Sequence, residues 1–322
     1  MNRFELSKLT ILMPVYNDWR ALALLLPALD RELKADGLNA DIVLVDDGST
    51  LAAPADWPGR LEAIGAIEVL SLRRNLGHQR AIAVGLSYIE ANRPPGAVVV
   101  MDSDGEDDPK DVPRLARACA ASGGEKIVFA ARIKRSEGWL FTLFYHLYRA
   151  LHFLLTGVRV RVGNFSIIPP EPLKRLVAVA ELWNHYAAAV HKARLPMDFI
   201  PTERATRLEG LPRMDLVSLV VHGLSAMAVF GDRIGVRLLI VVCAAMGGAL
   251  ATLAAVIGIR LCTDLAIPGW ATYAAGLLLV MLTQMLLVIL VFVFVILAAR
   301  NAANVLPNDY ARLLAGRRRI YG

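Results

Sequence analysis

The sequence predicts an α/β domain on a mostly parallel sheet, joined towards its carboxyl end to a pair of membrane-crossing helices. Three observations carry that prediction. Over the first ~130 residues, short apolar runs alternate with segments of helical period, the pattern of strand and helix layering. Three runs in succession end in polar clusters, Asp46-Asp47-Gly48-Ser49, Arg73-Arg74-Asn75 and Asp102-Ser103-Asp104. Such carboxyl ends are where ligands bind in open α/β sheets. Finally, Leu238 to Ala299 carries only Arg260 and Asp264 as charges, whereas nearly all the acidic side chains come earlier.

In order along the chain, Thr10 to Pro14 reads as the first strand and Trp19 to Asp36 as a helix with Leu22, Leu25, Leu26, Leu29 and Leu33 on one face. Ala40 to Val45 is a second strand and Ile67 to Leu72 a third. Gly77 to Ala91 is a helix opening in a polar, glycine-containing turn. Ala97 to Met101 is a buried strand, and Ile127 to Ala131 another, ending at Arg132. Residues 139–156 are apolar but interrupted by two His and one Arg, which fits an interfacial helix better than a span. Residues 215–232 read as a second membrane-surface helix.

Residues 236–261 and 271–299 each exceed the ~20 apolar residues that cross a hydrocarbon core, with Cys262 to Trp270 as the connecting loop. Arg233 and Arg237 precede the first span. Arg300, Arg312 and Arg317-Arg318-Arg319 follow the second, and the loop adds no Lys or Arg beyond Arg260. The positive-inside rule therefore predicts that both termini are cytoplasmic in an integral inner-membrane protein. The first residues lack the apolar stretch of a signal peptide, which agrees with a cytoplasmic soluble part.

The 322 residues are 56% hydrophobic and 20% charged, with a net charge of +6. The excess of Arg and Lys lies largely beside the spans, so it points to a membrane surface rather than to nucleic acid. Three cysteines without paired spacing indicate neither a disulfide framework nor a zinc site.

Asp102-Ser103-Asp104 is the strongest chemical signal. Two carboxylates two residues apart at a strand end can aim at one point, and hard oxygen ligands suit Mg²⁺ or Mn²⁺; the same turn could also be a solvated acidic loop. Asp46-Asp47-Gly48-Ser49 offers acceptors for a nucleobase N–H or a ribose hydroxyl, with ordinary turn chemistry as the alternative. Arg73 to Gln79 places guanidinium and helix-start N–H donors where phosphate could sit.

Together, Met13-Pro14-Val15-Tyr16-Asn17-Asp18, Asp46 to Ser49, Arg73 to Gln79 and Asp102-Ser103-Asp104-Gly105-Glu106 resemble, in order and spacing, the motifs of glycosyltransferase family 2 with the GT-A fold. Within it the chain is most similar to the polyprenyl-phosphate sugar synthases, over roughly residues 9 to 215. The resemblance implies that Pro14, Tyr16, Asp18 and Asp46 cradle the nucleoside. Asp47, Arg73, Asn75, Gly77, Gln79, Asp102 and Ser103 complete the donor side. It further implies Asp102, Asp104 and Glu106 as ligands of Mg²⁺ or Mn²⁺, Arg132 and Arg204 at the phosphates beside the catalytic Asp104, and Arg204, Arg207 and Arg213 towards the acceptor phosphate. Gly163-Asn164-Phe165-Ser166 looks like the stretch beside the sugar. The family usually has Gln at Glu106, Glu at Asp18 and Gly-x-Ser-Lys where Gly210-Leu211-Pro212-Arg213 stands.

The implied reaction is inverting, metal-dependent transfer of a sugar from a UDP- or GDP-linked donor to a polyprenyl phosphate at the cytoplasmic membrane face. Such a phosphate is already anionic near neutral pH, so the reaction needs no general base. The implied organisation is a catalytic domain at residues 1–214, a surface helix at 215–232, two spans within 233–300 and a basic cytoplasmic tail at 301–322; an exposed interfacial helix is compatible with a homo-oligomer. Two alternatives differ in class. A processive polysaccharide synthase would carry a Gln-x-x-Arg-Trp motif, which is absent; a non-catalytic nucleotide-binding membrane module would have no reason to retain the carboxylates.

Overall fold

The computed structural model describes residues 8–54, 57–132, 149–158, 163–209, 223–263, 269–301 and 307–322. The chain forms two compact units: Met1–Thr142 with Val160–Val229 and Asn304–Gly322, and Leu143–Arg159 with Phe230–Ala303.

The first unit is the expected α/β domain. Its strands are β1 (Lys8–Val15), β2 (Asn39–Asp46), β3 (Ile64–Leu72), β4 (Ala97–Val100), β5 (Ile127–Arg132), β6 (Ser166–Ile168), β7 (Met197–Thr202) and β8 (Leu314–Tyr321). They form one sheet in the order β7-β5-β6-β4-β1-β2-β3-β8. The central pairs β4–β1, β1–β2 and β2–β3 are parallel, as is β5–β7, whereas β6 and β8 run antiparallel to their neighbours.

Strand alternation decides which helix each side chain meets. Leu9, Ile11 and Met13 of β1, with Ile42 and Leu44 of β2, face one layer with α1 (Trp19–Ala35) and α3 (Asp111–Ala121). Leu12, Val43 and Val45 face the opposite layer, with α2 (His78–Asn92), α4 (Pro170–Val177) and α5 (Tyr186–Lys192). The apolar period of α1 is buried as expected, with Leu22, Leu25, Leu26, Leu29 and Leu33 at 0% exposure.

The last strand departs from the sequence reading, in which residues 301–322 are a basic tail. Leu314–Tyr321 instead adds to β3, after a short helix α8 (Tyr310–Leu313). Arg317 Nε lies 3.0 Å from Glu68 Oε1, and the Tyr321 hydroxyl donates to Leu61 O at 2.8 Å.

The second unit contains α6 (Gly231–Cys262) and α7 (Trp270–Asn301), each of 32 residues, packed on one another. At 1.5 Å per residue each is roughly 48 Å long, more than a ~30 Å hydrocarbon core requires. Their outer faces are apolar: Leu261, Leu277 and Phe294 are exposed. Both helices are long and apolar enough to cross a membrane.

Residues 149–156 are helical and hold His152 buried while Leu151, Phe153 and Leu154 stay exposed. Arg237 Nη1 donates to Leu154 O at 2.6 Å. Gly157, at φ +73°, a conformation that favours glycine, lies beside that guanidinium, where a Cβ would stand 2.7 Å from Arg237 Nη2. The remainder of the expected interfacial helix, 139–148, and residues 215–222 of the expected surface helix at 215–232 lie outside the described residues, while 223–228 are helical.

Candidate active site

The site occupies the carboxyl edge of β1, β2, β3 and β4, where the parallel strands end side by side. After β1, Tyr16 is exposed and Asn17 takes a left-handed φ of 57°. That conformation suits Asn, whose short side chain bonds locally. Here Asn17 Oδ1 accepts from Thr50 N at 2.8 Å and Leu51 N at 2.9 Å, clipping the β1 loop to the β2 loop.

The two aspartates after β2 separate in role. Asp46 Oδ1 accepts from Ser49 N at 2.9 Å and shapes the turn. Asp47 is 3% exposed, and its two oxygens accept from Leu76 N at 2.7 Å and Gly77 N at 2.9 Å. Burial pushes the Asp47 carboxyl up, against the opposing pull of those amides. It therefore braces the Arg73–Gly77 loop from below. Gly48, at φ +75°, leaves room for that loop, since a Cβ would stand 2.9 Å from Asn75 N. Arg73, Arg74 and Asn75 are exposed on top.

After β4 the acidic turn is built with one carboxylate turned inward. Asp107, 2% exposed, accepts from Asp102 N at 2.9 Å. Ser103 donates to Pro14 O at 2.8 Å, which ties the turn to β1. Asp104 Oδ1 accepts from Glu106 N at 3.0 Å, and Gly105 supplies φ +85°. Burial, and then repulsion from Asp102, raises the Asp104 pKa.

Cationic and imidazole groups surround this turn. His78 Nε2 lies 3.2 Å from Asp102 Oδ1 and 3.0 Å from Asn164 Nδ2. Desolvation would lower the His78 pKa, but Asp102, with Asp107 and Asp104 behind it, raises it overall. Gln79 donates to Asn164 Oδ1 at 3.2 Å and accepts from Tyr186 N at 2.8 Å. Arg207 Nη1 donates to Asp104 Oδ2 at 2.9 Å and Nη2 to Asp18 Oδ1 at 2.5 Å. Arg204 Nε donates to Glu106 Oε2 at 2.9 Å.

The structure thus brings Asp18, Asp102, Asp104, Glu106, Arg204 and Arg207 together. It turns Asp47, Ser103 and Gln79 towards protein groups. Arg132 ends β5 in register with Thr202, two residues before Arg204. Arg213 lies outside the described residues. Asn17 and Asn164 were not legible in the sequence as organising residues, because each acts through a partner distant along the chain; Asp107 was not, because nothing in the acidic run marks which carboxylate turns inward.

The oxygen donors of Asp102, Asp104 and Glu106 are of the hard kind a divalent cation takes, and Asp104, raised by burial and then by the Asp102 carboxylate, is a group a cation would favour ionised. Guanidinium groups already stand in for positive charge at two of the three carboxylates. Among the described residues, no three acidic, His or Cys side chains converge on a point as they stand.

The sequence profile of glycosyl transferase family 2 matches residues 10–177, just over half of the chain. Among curated relatives, the undecaprenyl-phosphate 4-deoxy-4-formamido-L-arabinose transferase of Serratia proteamaculans (strain 568) is 30% identical over 146 residues, 43% of this chain and 41% of the relative. The enzyme of the same name from Sodalis glossinidius (strain morsitans) is 33% identical over 140 residues, 42% of this chain and 40% of the relative. The matched region thus spans about two fifths of the length of these relatives. Among solved structures, mannosyl-3-phosphoglycerate synthase from Rubrobacter xylanophilus superposes with a TM-score of 0.51 at 16% identity, over 70% of this chain and 73% of that one, a likeness of fold. The profile match runs from within β1 to the end of α4 and includes the four loops after β1, β2, β3 and β4, though not the arginine-bearing segment after β7, and the chain belongs to glycosyl transferase family 2.

Proposed function

We propose that the protein transfers a sugar from a nucleotide-sugar to a polyprenyl phosphate at the cytoplasmic face of a membrane. The observation that carries this reading is the acidic turn after β4, set between the nucleoside-side Asp18 and the arginines 204 and 207, in a chain that also has two helices fit to cross a bilayer. The names of the matched relatives, which act on undecaprenyl phosphate, support the choice of acceptor.

In this reading the exposed Tyr16 and the Asp46 turn hold the nucleoside, and the Arg73–Gly77 loop, braced by Asp47, faces the donor phosphates. Asp102, Asp104 and Glu106 would hold Mg²⁺ or Mn²⁺, which supplies Lewis-acid charge stabilisation of the diphosphate. An acceptor phosphate oxygen forms the new bond to the anomeric carbon while the bond from that carbon to the diphosphate breaks. The nucleoside diphosphate leaves, and the anomeric centre inverts. The acceptor oxygen is already anionic, so no side chain need take a proton. The chain's work is positioning and charge complementarity, with Arg132 and Arg204 towards the phosphates.

For topology, β8 follows the second apolar helix and pairs with β3, which precedes the first. If both helices cross the bilayer, their outer ends are on one side of it, as the arginine distribution also predicts. We assign that side to the cytoplasm.

The direct test incubates membranes containing the protein with a panel of UDP- and GDP-sugars and undecaprenyl phosphate, and identifies the lipid product by mass. Asp104→Asn is expected to stay membrane-bound and lose nearly all transfer. Absence of any sugar-lipid from every donor, or near-wild-type turnover of Asp104→Asn, would overturn the assignment.

A further inference from the structure

We propose that residues 203–209 are an internal counter-ion strap: Arg204 and Arg207 occupy the acidic turn in place of a cation, and binding of the cation with the nucleotide releases them towards incoming phosphate. The proposal rests on the reading of Asp102, Asp104 and Glu106 as cation ligands.

The strap touches two of the turn's three carboxylates, Asp104 and Glu106, together with Asp18 beside it. Arg207 spans Asp18 on the nucleoside side and Asp104 on the turn, and its side chain is only 14% exposed. Arg204 pairs with Glu106 through Nε and Nη2. Two backbone bonds lay the segment along the turn: Ala205 N to Glu106 O and Leu208 N to Asp104 O, both at 3.0 Å. Leu208 lies over Gly105, where a Cβ would stand 2.5 Å from Leu208 Cγ. The glycine therefore serves two ends, the left-handed turn and the close approach of the strap.

What holds the strap decides whether it can leave. None of residues 203–209 is buried, and Leu208 remains 44% exposed, so little apolar area anchors it. Arg204 is 40% exposed at its side chain, and the Arg20–Glu209 pair is 82% and 42% exposed. Pairs so open to water contribute little. The dominant attachment is therefore the charge of the less exposed Arg207, on a carboxylate oxygen of Asp104 that a divalent ion would claim. A carboxylate oxygen that coordinates an ion cannot keep its guanidinium partner at full strength, because two positive charges then compete in one partly desolvated space.

Release also has a chemical use. A guanidinium freed from carboxylates is a two-pronged donor suited to phosphate. The device thus stores phosphate-binding groups on the empty donor site and presents them once that site is filled. It imposes an order in which the cation and nucleotide bind before the acceptor phosphate.

The test measures Mn²⁺ binding to the purified full-length protein in detergent, by the electron paramagnetic resonance signal of free Mn²⁺, with and without UDP or GDP. Wild type, Arg207→Ala, Arg207→Lys and Asp104→Asn are compared. For a strap taken as closed on the order of nine-tenths of the time, the apparent dissociation constant is about tenfold higher. Arg207→Ala is therefore expected to bind Mn²⁺ about tenfold more tightly than wild type. Arg207→Lys, with one point charge in place of the fork, should fall between, and Asp104→Asn should lose binding. Trypsin provides a second readout: Mn²⁺ with nucleotide should speed cleavage after Arg204 and Arg207. If Arg207→Ala binds Mn²⁺ no better than wild type while Asp104→Asn abolishes binding, the strap is wrong and the cation site stands. If no variant binds Mn²⁺, or Asp104→Asn binds as wild type does, the cation reading fails and the strap with it. Slower cleavage in the presence of Mn²⁺ and nucleotide would also overturn release.

Discussion

Glu68, on β3, joins the last strand to the catalytic sheet, and its neighbours are unequal enough to predict which contact matters. Its residue is 8% exposed. Oε2 accepts from Arg93 Nη2 at 2.7 Å, and Oε1 accepts from the Tyr88 hydroxyl at 2.8 Å and from Arg317 Nε at 3.0 Å. Arg93 is 15% exposed at its side chain and also pairs with Asp41 at 3.2 Å, whereas Arg317 is 60% exposed. Removing one partner of a buried pair typically costs about 3–5 kcal/mol. Because Asp41 still holds Arg93, Glu68→Ala is expected near the low end, about 3 kcal/mol. Arg317→Ala should cost less than about 1 kcal/mol, since water already screens that pair. Urea titrations of the detergent-solubilised protein, followed by tryptophan fluorescence, read both as midpoint shifts at constant slope. Trp19 and Trp57, edge to face at 5.8 Å, report on the α/β unit. Equal losses for the two variants would refute the burial argument and make β8 attachment an electrostatic lock.

Gly48→Ala forces a side chain into φ +75° and within 2.9 Å of Asn75 N, so a loss of about 1–3 kcal/mol is expected. It should come with a raised KM for the nucleotide-sugar, and an unchanged KM would detach this turn from the donor site. Burial, with help from Glu68, pushes the Tyr88 hydroxyl up to about 12 from an ordinary 10.0. A raised folded-state pKa contributes stability fully present below the unfolded value. Stability should therefore fall as pH rises from about 10 to 12, and Tyr88→Phe should flatten that fall; identical pH profiles would sink the assignment. Cys119 is 0% exposed, and burial pushes its thiol up to about 12. Alkylation with iodoacetamide at pH 8 should leave Cys119 unmodified until the domain unfolds, and modification of folded protein at Cys119 would contradict its burial.

Much of the α/β core was legible because its signals are local. The leucine period of α1, the apolar runs of β1, β2 and β4 and the polar clusters that end them need no distant partner to be read. The expected parallel order holds at the sheet's centre, where both faces are covered and the runs are continuous. Three strands escaped. β6 has three residues and no pattern. β7 includes Pro201, which an edge strand tolerates but which reads as a break. β8 carries Arg317-Arg318-Arg319 and shows no alternation, so it resembled a tail; it is a strand because the edge of β3 offers it a ladder.

The same division runs through the site. Composition and motif alone determined that carboxylates stand at the end of β4, that an acidic residue, Asp18, precedes α1, and that two long apolar helices follow. Those are properties of short stretches, set by hydrophobic period and turn chemistry. Only the folded chain decided that Asp47 holds up the Arg73–Gly77 loop, that His78 meets Asp102, and that Arg207 joins Asp18 to Asp104. Each of these pairings links residues tens to nearly two hundred positions apart, and charge has no sequence period that would announce its partner.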